Sequence, residues 1–592
     1  MKNKHRILSG TLLFLALSLC GCSSDAVPAV QSDPSNISSL GTVIDKSEIQ
    51  TEENIHIRDK NLLYENQDNT EIVTMYLTVS TGNSAENTDH TWEEINTYSA
   101  YDYEEMGVDR YQVAGLIQVG DENGLIPGEL GYGQVAPNCT VQIRGQSSSR
   151  NIQKNYKIRL KDNKGEWRGQ QTIALNKHQG DGLRFRNKLG FDLLSEIDEL
   201  MSLRTTFVRL YVKDTTADPN AKFEDYGIYT QVEQLNKTAL ERHGLDKRGH
   251  LYKVNFCEFY RYEDVIVPSD DPNYNLTAFE EILEVKGDDD HTKLIRLLER
   301  INDYTIPIEM ILEEDLDIEN LSYWMAFQLL CGNVDTQSRN FYLYSPLNEE
   351  RFYILPWDLD GVFKRTEYEL IGRNDYTEWE KGVSNYWGNV LFRRCLQSEL
   401  YREKLDEAVK NLYSKLTDGR IDAYAKTYSE LLKPYIFSGR DALAMPLTVT
   451  QHNTIVSSLT DEVKYNYQYY KESYEKPMPF YIGVPVREND RYTLQWDTAY
   501  TFQAEPVSYT FELAGDYTFK NPIVKTDALK LPMTTFDLLP PGQYFVRVIA
   551  KDAGGQTQTA FDCYTIEDGK VYGTKCFYVD QNGQIVEDVY VE

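Results

Sequence analysis

Four oxygen-bearing side chains, Asp335, Asn340, Asp358 and Asp360, interrupt an apolar and aromatic stretch running from Cys331 to Phe363. Carboxylates are costly inside a fold unless they are paired or bind a cation. A core-like stretch that retains three of them therefore points to chemistry at the ends of core elements. Hard oxygen donors brought to one point suit Mg²⁺, Mn²⁺ or Ca²⁺. If "DLD" (358–360) is extended, Asp358 and Asp360 project to the same side, because side chains alternate along a strand with a period of two. Both are read as metal ligands, on an approach stiffened by Pro356 and Trp357.

The elements that must position these residues can be read from the pattern around them. "IENLSYWMAFQLLCG" (318–332) has apolar residues at helical spacing and ends at Gly332, a helix stop. Asp335 follows in a loop, "NFYLYS" and "RFYILPW" read as strands, and Asp358 stands just past the second. Upstream, "EIVTMYLTVS", "QVAGLIQVG", "CTVQIRG" and "KNYKIRL" alternate as strands do. "RFRNKLGFDLLSEI" reads as an amphipathic helix, "TTFVRLYVKD" and "YGIYTQVEQL" as paired strands, and residues 388–475 as several helices. Strands first and helices after predict an α+β body over 69–476, with a strand-rich and a helical lobe. A proline-punctuated break at 475–485 leads into strand after strand over 480–570, similar to a fibronectin type III or related immunoglobulin-like sandwich with Trp496 in its core. Residues 571–592 are read as a tail.

An Asp, an Asn five residues on, two strands, and then an Asp at a strand end is also the order in which protein kinases place their phosphoryl-transfer residues. On that analogy Asp335 orients the attacking hydroxyl and accepts its proton, while Asn340 and Asp358 hold the metal ions that bridge the nucleotide phosphates. Asn333-Val334 stands where kinases carry His-Arg, which excludes an ordinary protein kinase and leaves an atypical one. The polar loop of "IRGQSSSRNIQKNYKIRL" (143–160) offers backbone N–H groups and the hydroxyls of Ser147 and Ser148 to phosphates, and Arg144 and Lys154 bring positive charge.

That segment, "YGIYTQVEQLN" (226–236), the Asp335–Asn340 pair and "LPWDLDGVF" (355–363) together resemble, in this order, the spore-coat protein H (CotH) family of atypical kinases. The resemblance covers about residues 70 to 475. It implies a diverged protein-kinase-like fold and ATP-dependent phosphorylation of Ser or Thr hydroxyls on protein substrates, with Mg²⁺ or Mn²⁺. It also implies that Lys154, at the family's recurrent lysine position, contacts the ATP phosphates, and that Glu233 pairs with Lys154 as in kinases. Lys157 and Arg159 have the opposite strand parity and are expected to face away from Lys154. Asp181, Arg184, Arg186 and Asn187 lie in a family-like region and are read as structural, near a helix start.

The remaining features bound the setting. "MKNKHR" followed by a short apolar run and "LCGC" (19–22) resembles a bacterial lipoprotein signal, with Cys22 as the lipidated residue and 23–68 as a polar tether to the cell surface. A net charge of −31 disfavours nucleic acid as a partner. The eight histidines form no HExxH and no GxSxG occurs, which disfavours zinc and serine hydrolases. Cys563 and Cys576 flank a turn-like segment and could form a disulfide. The competing reading is a non-catalytic surface adhesin or scaffold, in which "PWDLDG" is a structural Ca²⁺ loop.

Overall fold

Alternation in the sequence becomes alternation in burial. "CTVQIR" forms a strand in which Cys139, Val141 and Ile143 are fully buried while their neighbours are half-exposed, and Asn155–Leu160 repeats the pattern. In this computed structural model, which describes residues 57, 59–65, 68–373, 378–567 and 569–587, such strands build the first lobe. The signal-like segment, Cys22 and most of the tether lie outside the described residues. The strands are β1 (Ile72–Ser80), β2 (Val113–Asp121), β3 (Gly124–Leu125), β4 (Cys139–Arg144), β5 (Asn155–Leu160), β6 (Thr172–Asn176), β7 (Thr205–Asp214) and β8 (Glu224–Glu233). Their order is β1-β7-β8-β6-β5-β4-β2-β3, and β1 also pairs with β2, so the sheet closes on itself. Met75, Leu77, Val141, Ile143, Tyr156, Ile158, Leu175 and Leu210 fill the interior. Closure makes the two faces inequivalent. Residues of one parity pack inside, and those of the other stand on the outer wall.

The second lobe is helical around a small antiparallel sheet, β10 (Leu283–Val285), β9 (His250–Val254), β11 (Phe341–Ser345) and β12 (Tyr353–Pro356) in that order. The register sets Glu284, Lys253, Tyr342 and Leu355 in one row across the sheet. Helix Ile318–Cys331 is buried nearly all round and is stopped by Gly332 in the left-handed region (φ 65°), as its sequence predicts. Its core is continuous with that of the helices at 390–473 and with Phe207, Ile228 and Val232 on the outer wall of β7 and β8. The fold is thus α+β, a kinase-like body of strand-rich and helical lobes followed by an all-β region.

In the all-β region a three-stranded sheet (Val486–Glu488, Arg491–Gln495, Met533–Asp537) and a larger one share a core of Tyr492, Leu494, Trp496, Phe511, Val546, Val548 and Phe577. Trp496 is 5% exposed and stacks on Phe511. Two expectations need correction here. The segment read as a tail supplies strands Thr574–Val579 and Ile585–Glu587, the first pairing with Gly542–Lys551, so the region extends to at least Glu587. Cys563 pairs across a local hairpin with Tyr572 whereas Cys576 sits in the larger sheet opposite Phe545, and no disulfide joins them. Among the described residues no helix is long and apolar enough to cross a membrane.

Candidate active site

The loop after Gly332 carries Asp335 out of the core. Its carboxylate is 63% exposed, and the Asn340 amide donates to its Oδ2 at 2.8 Å and to its backbone carbonyl at 3.0 Å. That use of the amide nitrogen leaves Asn340 Oδ1 as an acceptor for another group. The loop is pinned from several sides. Asn385 Nδ2 donates to the Val334 carbonyl, the Tyr386 hydroxyl meets Thr336 Oγ1, Asn389 Nδ2 donates to the Gln337 carbonyl, and Cys257 N donates to the Ser338 carbonyl. The same 379–389 segment is gripped by the all-β region: Trp379 packs edge-on against Phe561, and Trp387 lies 5.0 Å from Tyr500.

Asp358 follows β12 as expected, but "DLD" is not extended. Asp358 adopts the left-handed region (φ 53°, ψ 70°) and Leu359–Gly361 form a 3-10 turn. The turn separates the two carboxylates. Asp360 Oδ2 lies 3.4 Å from His178 Nδ1, whose Nε2 is 3.2 Å from the Asn187 amide, and Asn187 Oδ1 accepts from Leu359 N. A Cβ on Gly190 would meet Leu359 Cβ at 2.7 Å, so glycine lets the helix Arg186–Leu194 press directly on the turn. Behind it, fully buried Arg186 donates to the Phe363 carbonyl at 3.0 Å and bonds the carboxylates of Asp181 and Glu367. Non-glycine residues at positive φ gather here, namely His178, Arg184, Asn340, Asp358 and Phe363. Such strain concentrates where geometry serves function.

The electrostatics divide the cleft into two halves. Burial, then repulsion from Asp360 and Asp335, pushes the Asp358 carboxyl up to about 7 despite His178 and Arg144 nearby. Asp335 is raised as well, by protein walls around an accessible carboxylate and by Asp360, against Arg339 and Asn340. Burial alone would raise Asp360, but the His178 hydrogen bond and charge hold it low. Opposite stand Arg144, Lys157, Lys253 and Lys286. Lys157 is lowered by burial and then by Lys286, Arg159 and Arg144, and Lys253 by burial and Lys286, with Glu284 and Asp358 opposing. Arg144 lies over the Trp357 ring at 5.9 Å and donates to Asn176 Oδ1. Glu284 is shared between Lys253 and Lys286. One half of the cleft thus carries an excess of negative charge, with Arg339 and His178 beside three carboxylates, and the other an excess of positive charge, with Glu284 among four cations.

The expected Lys154–Glu233 pair does not form. Lys154 has the parity of Tyr156, the inward one; it is buried, and its Nζ donates to the Ser149 carbonyl at 2.6 Å, bracing the loop from within. The register Tyr156↔Leu175↔Gln231 puts Glu233 about 13 Å further along the strands and two strands away. Glu233 is held instead by Arg204 Nε at 3.1 Å and His243 Nε2 at 3.0 Å. Lys157 shares the outer-wall parity of Arg144, since β4 and β5 pair Arg144 with Asn155 and Gln142 with Lys157. It is therefore the strand's cleft-side lysine. The loop itself turns where predicted. Ser148 Oγ accepts from Asn155 Nδ2 at 3.0 Å, Ser147 is exposed, and Gly145 (φ 90°) has no room for a Cβ, which would fall 2.1 Å from Ser148 Oγ. Sequence reasoning missed His178, Lys253, Lys286 and Glu284. Only strand register, which joins β9 to β11 and β10, could have found the last three.

Among the described residues, no three His, Cys, Asp or Glu side chains gather tightly enough to hold a metal by themselves. The donors nevertheless suit a magnesium-like ion, which binds through one or two carboxylates and leaves other positions to water and phosphate. Asp358 and Asn340 Oδ1 supply such hard oxygens, and a cation there would relieve the repulsion that raises Asp358. Asp360 is committed to His178 and fits less well as a direct ligand.

Lobes of this kind around an Asp–Asn–Asp cleft define a kinase-like protein. The description "CotH kinase protein" matches over residues 141–470, more than half of the chain, and the chain belongs to the CotH family. It is 23% identical over 327 residues to the inner spore coat protein H of Bacillus subtilis (strain 168), an alignment covering 52% of this chain and 81% of that protein.

Proposed function

We propose that the protein is an atypical protein kinase that transfers the γ-phosphate of ATP to Ser or Thr hydroxyls of surface or coat-type proteins, itself included. The observation that carries this reading is the paired imbalance of the cleft, an excess of carboxylates over cations facing an excess of cations over carboxylates. A nucleotide polyphosphate with a divalent cation satisfies both halves at once. In this reading Asp335, exposed and oriented by Asn340, aligns the acceptor hydroxyl and takes its proton. Asn340 Oδ1 and Asp358 hold Mg²⁺ or Mn²⁺, which when bound neutralises phosphate charge, and Asp360 keeps His178 and the turn in place. Arg144, Lys157 and Lys253 receive phosphate oxygens beneath the Ser147–Ser148 loop. Positioning and charge stabilisation supply most of the catalysis that phosphoryl transfer requires. The relative's place in a spore coat and the lipobox-like Cys22 support action at the cell surface, with a lipid anchor on Cys22.

Incubation of the purified chain with labelled ATP and Mg²⁺ tests the proposal. Label is expected on the protein and on added surface proteins, falling about 10²–10³-fold in Asp358→Asn. Equal label on both forms overturns the assignment. Thermal stabilisation by Ca²⁺ alone, with no further shift from ATP, supports the scaffold reading instead.

A further inference from the structure

One cation on the carboxylate side of the cleft is held loosely. Arg339, immediately before Asn340, has its Nε 3.7 Å from Asp335 Oδ1, beyond hydrogen-bond reach, and its side chain is 48% exposed. Among the described residues its guanidinium makes no hydrogen bond, so all five N–H groups are open. Cys257 N donates to the Ser338 carbonyl at 2.8 Å, which brings Phe256 alongside Arg339. The guanidinium carbon lies 5.5 Å from the centroid of that ring, which is itself exposed. The other basic groups on this side are already bonded. His178 is shared by Asp360 and the Asn187 amide, and Lys364 donates to the Gly180 carbonyl at 3.2 Å.

An exposed ion pair at that separation contributes little and is easily given up. A guanidinium with an open fork matches phosphate oxygens two at a time, which a lysine does not. Its position suits that use. In-line transfer carries the phosphoryl group from its leaving oxygen to the attacking one, here from the Asn340–Asp358 donors towards the hydroxyl that Asp335 aligns. Arg339 borders both ends of that path, one residue from Asn340 and against Asp335. Without a cation there, the charge on the phosphoryl group would face the Asp335 carboxylate directly.

We propose that Arg339 is a catalytic residue whose guanidinium leaves Asp335 to bind oxygens of the γ-phosphoryl group during transfer. The proposal rests on the kinase reading. The acceptor oxygen bonds to the γ-phosphorus as the bond from that phosphorus to its bridging oxygen breaks. The acceptor proton passes to Asp335, and ADP departs with the electron pair of the broken bond. Arg339 keeps its protons throughout and offsets charge on the group in flight.

Binding of ADP and of a non-hydrolysable ATP analogue, each with Mg²⁺, is measured by calorimetry on the full chain and on its Arg339→Met and Arg339→Lys variants. The position is exposed, where substitution is tolerated. The wild type is expected to hold the triphosphate about tenfold tighter than ADP, and Arg339→Met to hold the two about equally with its ADP affinity unchanged. Arg339→Lys recovers part of the preference, as a point charge without the fork. No preference in the wild type, an unchanged preference in Arg339→Met, or an equal loss of both nucleotides there overturns the proposal. Label transfer from ATP is measured alongside and is expected to fall about 10²-fold in Arg339→Met. A preference that Arg339→Met abolishes, in a chain that transfers no label, refutes the kinase reading and upholds Arg339 as the γ-phosphate contact. Equal transfer by wild type and Arg339→Met refutes the role of Arg339 alone.

Discussion

Two sets of carboxylates meet at the 358–363 segment, one buried behind it and one on its open side, and behave in opposite ways. Asp181 and Glu367 are as deeply buried as any acid in the chain, and burial alone would raise Asp181. Arg186 and Lys364 outweigh it and hold that carboxyl well below the usual range. Asp358, only half-buried but walled by protein and with two like charges beside it, rises to about 7. A third cluster behaves as the first does: Arg204 and His243 hold Glu233 at about 2, and Asp59 and Glu233 raise His243 to about 9, in each case against burial. Loss of solvation acts to raise the acid in all three, and the counter-charge decides the sign. Matched clusters hold the fold together, and the one with excess negative charge is where the proposed function places its cation.

The comparison can be broken at each cluster in turn. Arg186→Met should cost the most, about 3–5 kcal/mol in denaturant unfolding, because two buried carboxylates lose their partner; a loss below 1 kcal/mol would mean that the matched cluster does not hold the fold. Asp358→Asn should do the reverse, lowering transfer about 10²–10³-fold while leaving the melting temperature unchanged or higher, since a repelled carboxylate is removed. A fall in melting temperature would place Asp358 among the structural acids. The Glu233–His243 cluster should give stability a plateau in pH. His243, raised from 6.5 to about 9, contributes fully below about pH 6.5 and is lost as pH rises through 9, a change on the order of 3 kcal/mol. Glu233, lowered from 4.5 to about 2, contributes above about pH 4.5 and is lost as pH falls towards 2. Melting curves across pH should show the alkaline limb vanish in His243→Gln. The smallest effect is Lys157→Met, which should raise KM for ATP about tenfold, one charge-assisted contact, with little change in melting temperature.

Much of this frame was legible in the sequence. The helix to Gly332, the strands on either side of the 346–352 turn and the position of Asp358 past the second all follow from periodicity and a glycine stop. The conformation at the site was not legible. Nothing local in "DLD" announces a left-handed Asp358, because the Arg186 and Asn187 contacts that impose it come from more than 170 residues away. Lys154 and Lys157 were told apart by parity, but which parity faced the cleft depended on the sheet closing, a long-range event. The 574–587 strands carried a readable alternation and were misassigned only because the domain was ended too early.

The closure of the first sheet bears on how this protein can be divided. The family match begins at residue 141, inside β4, whereas β1, β2 and β3 precede it. A fragment trimmed to the match would strip β7 and β4 of their neighbours and open the interior around Ile143, Tyr156 and Val208 to water. Two bare strand edges beside an uncovered apolar face are a template for aggregation. The matched segment is therefore not a folding unit by itself. In this chain, soluble expression is expected to need the strands that precede the match.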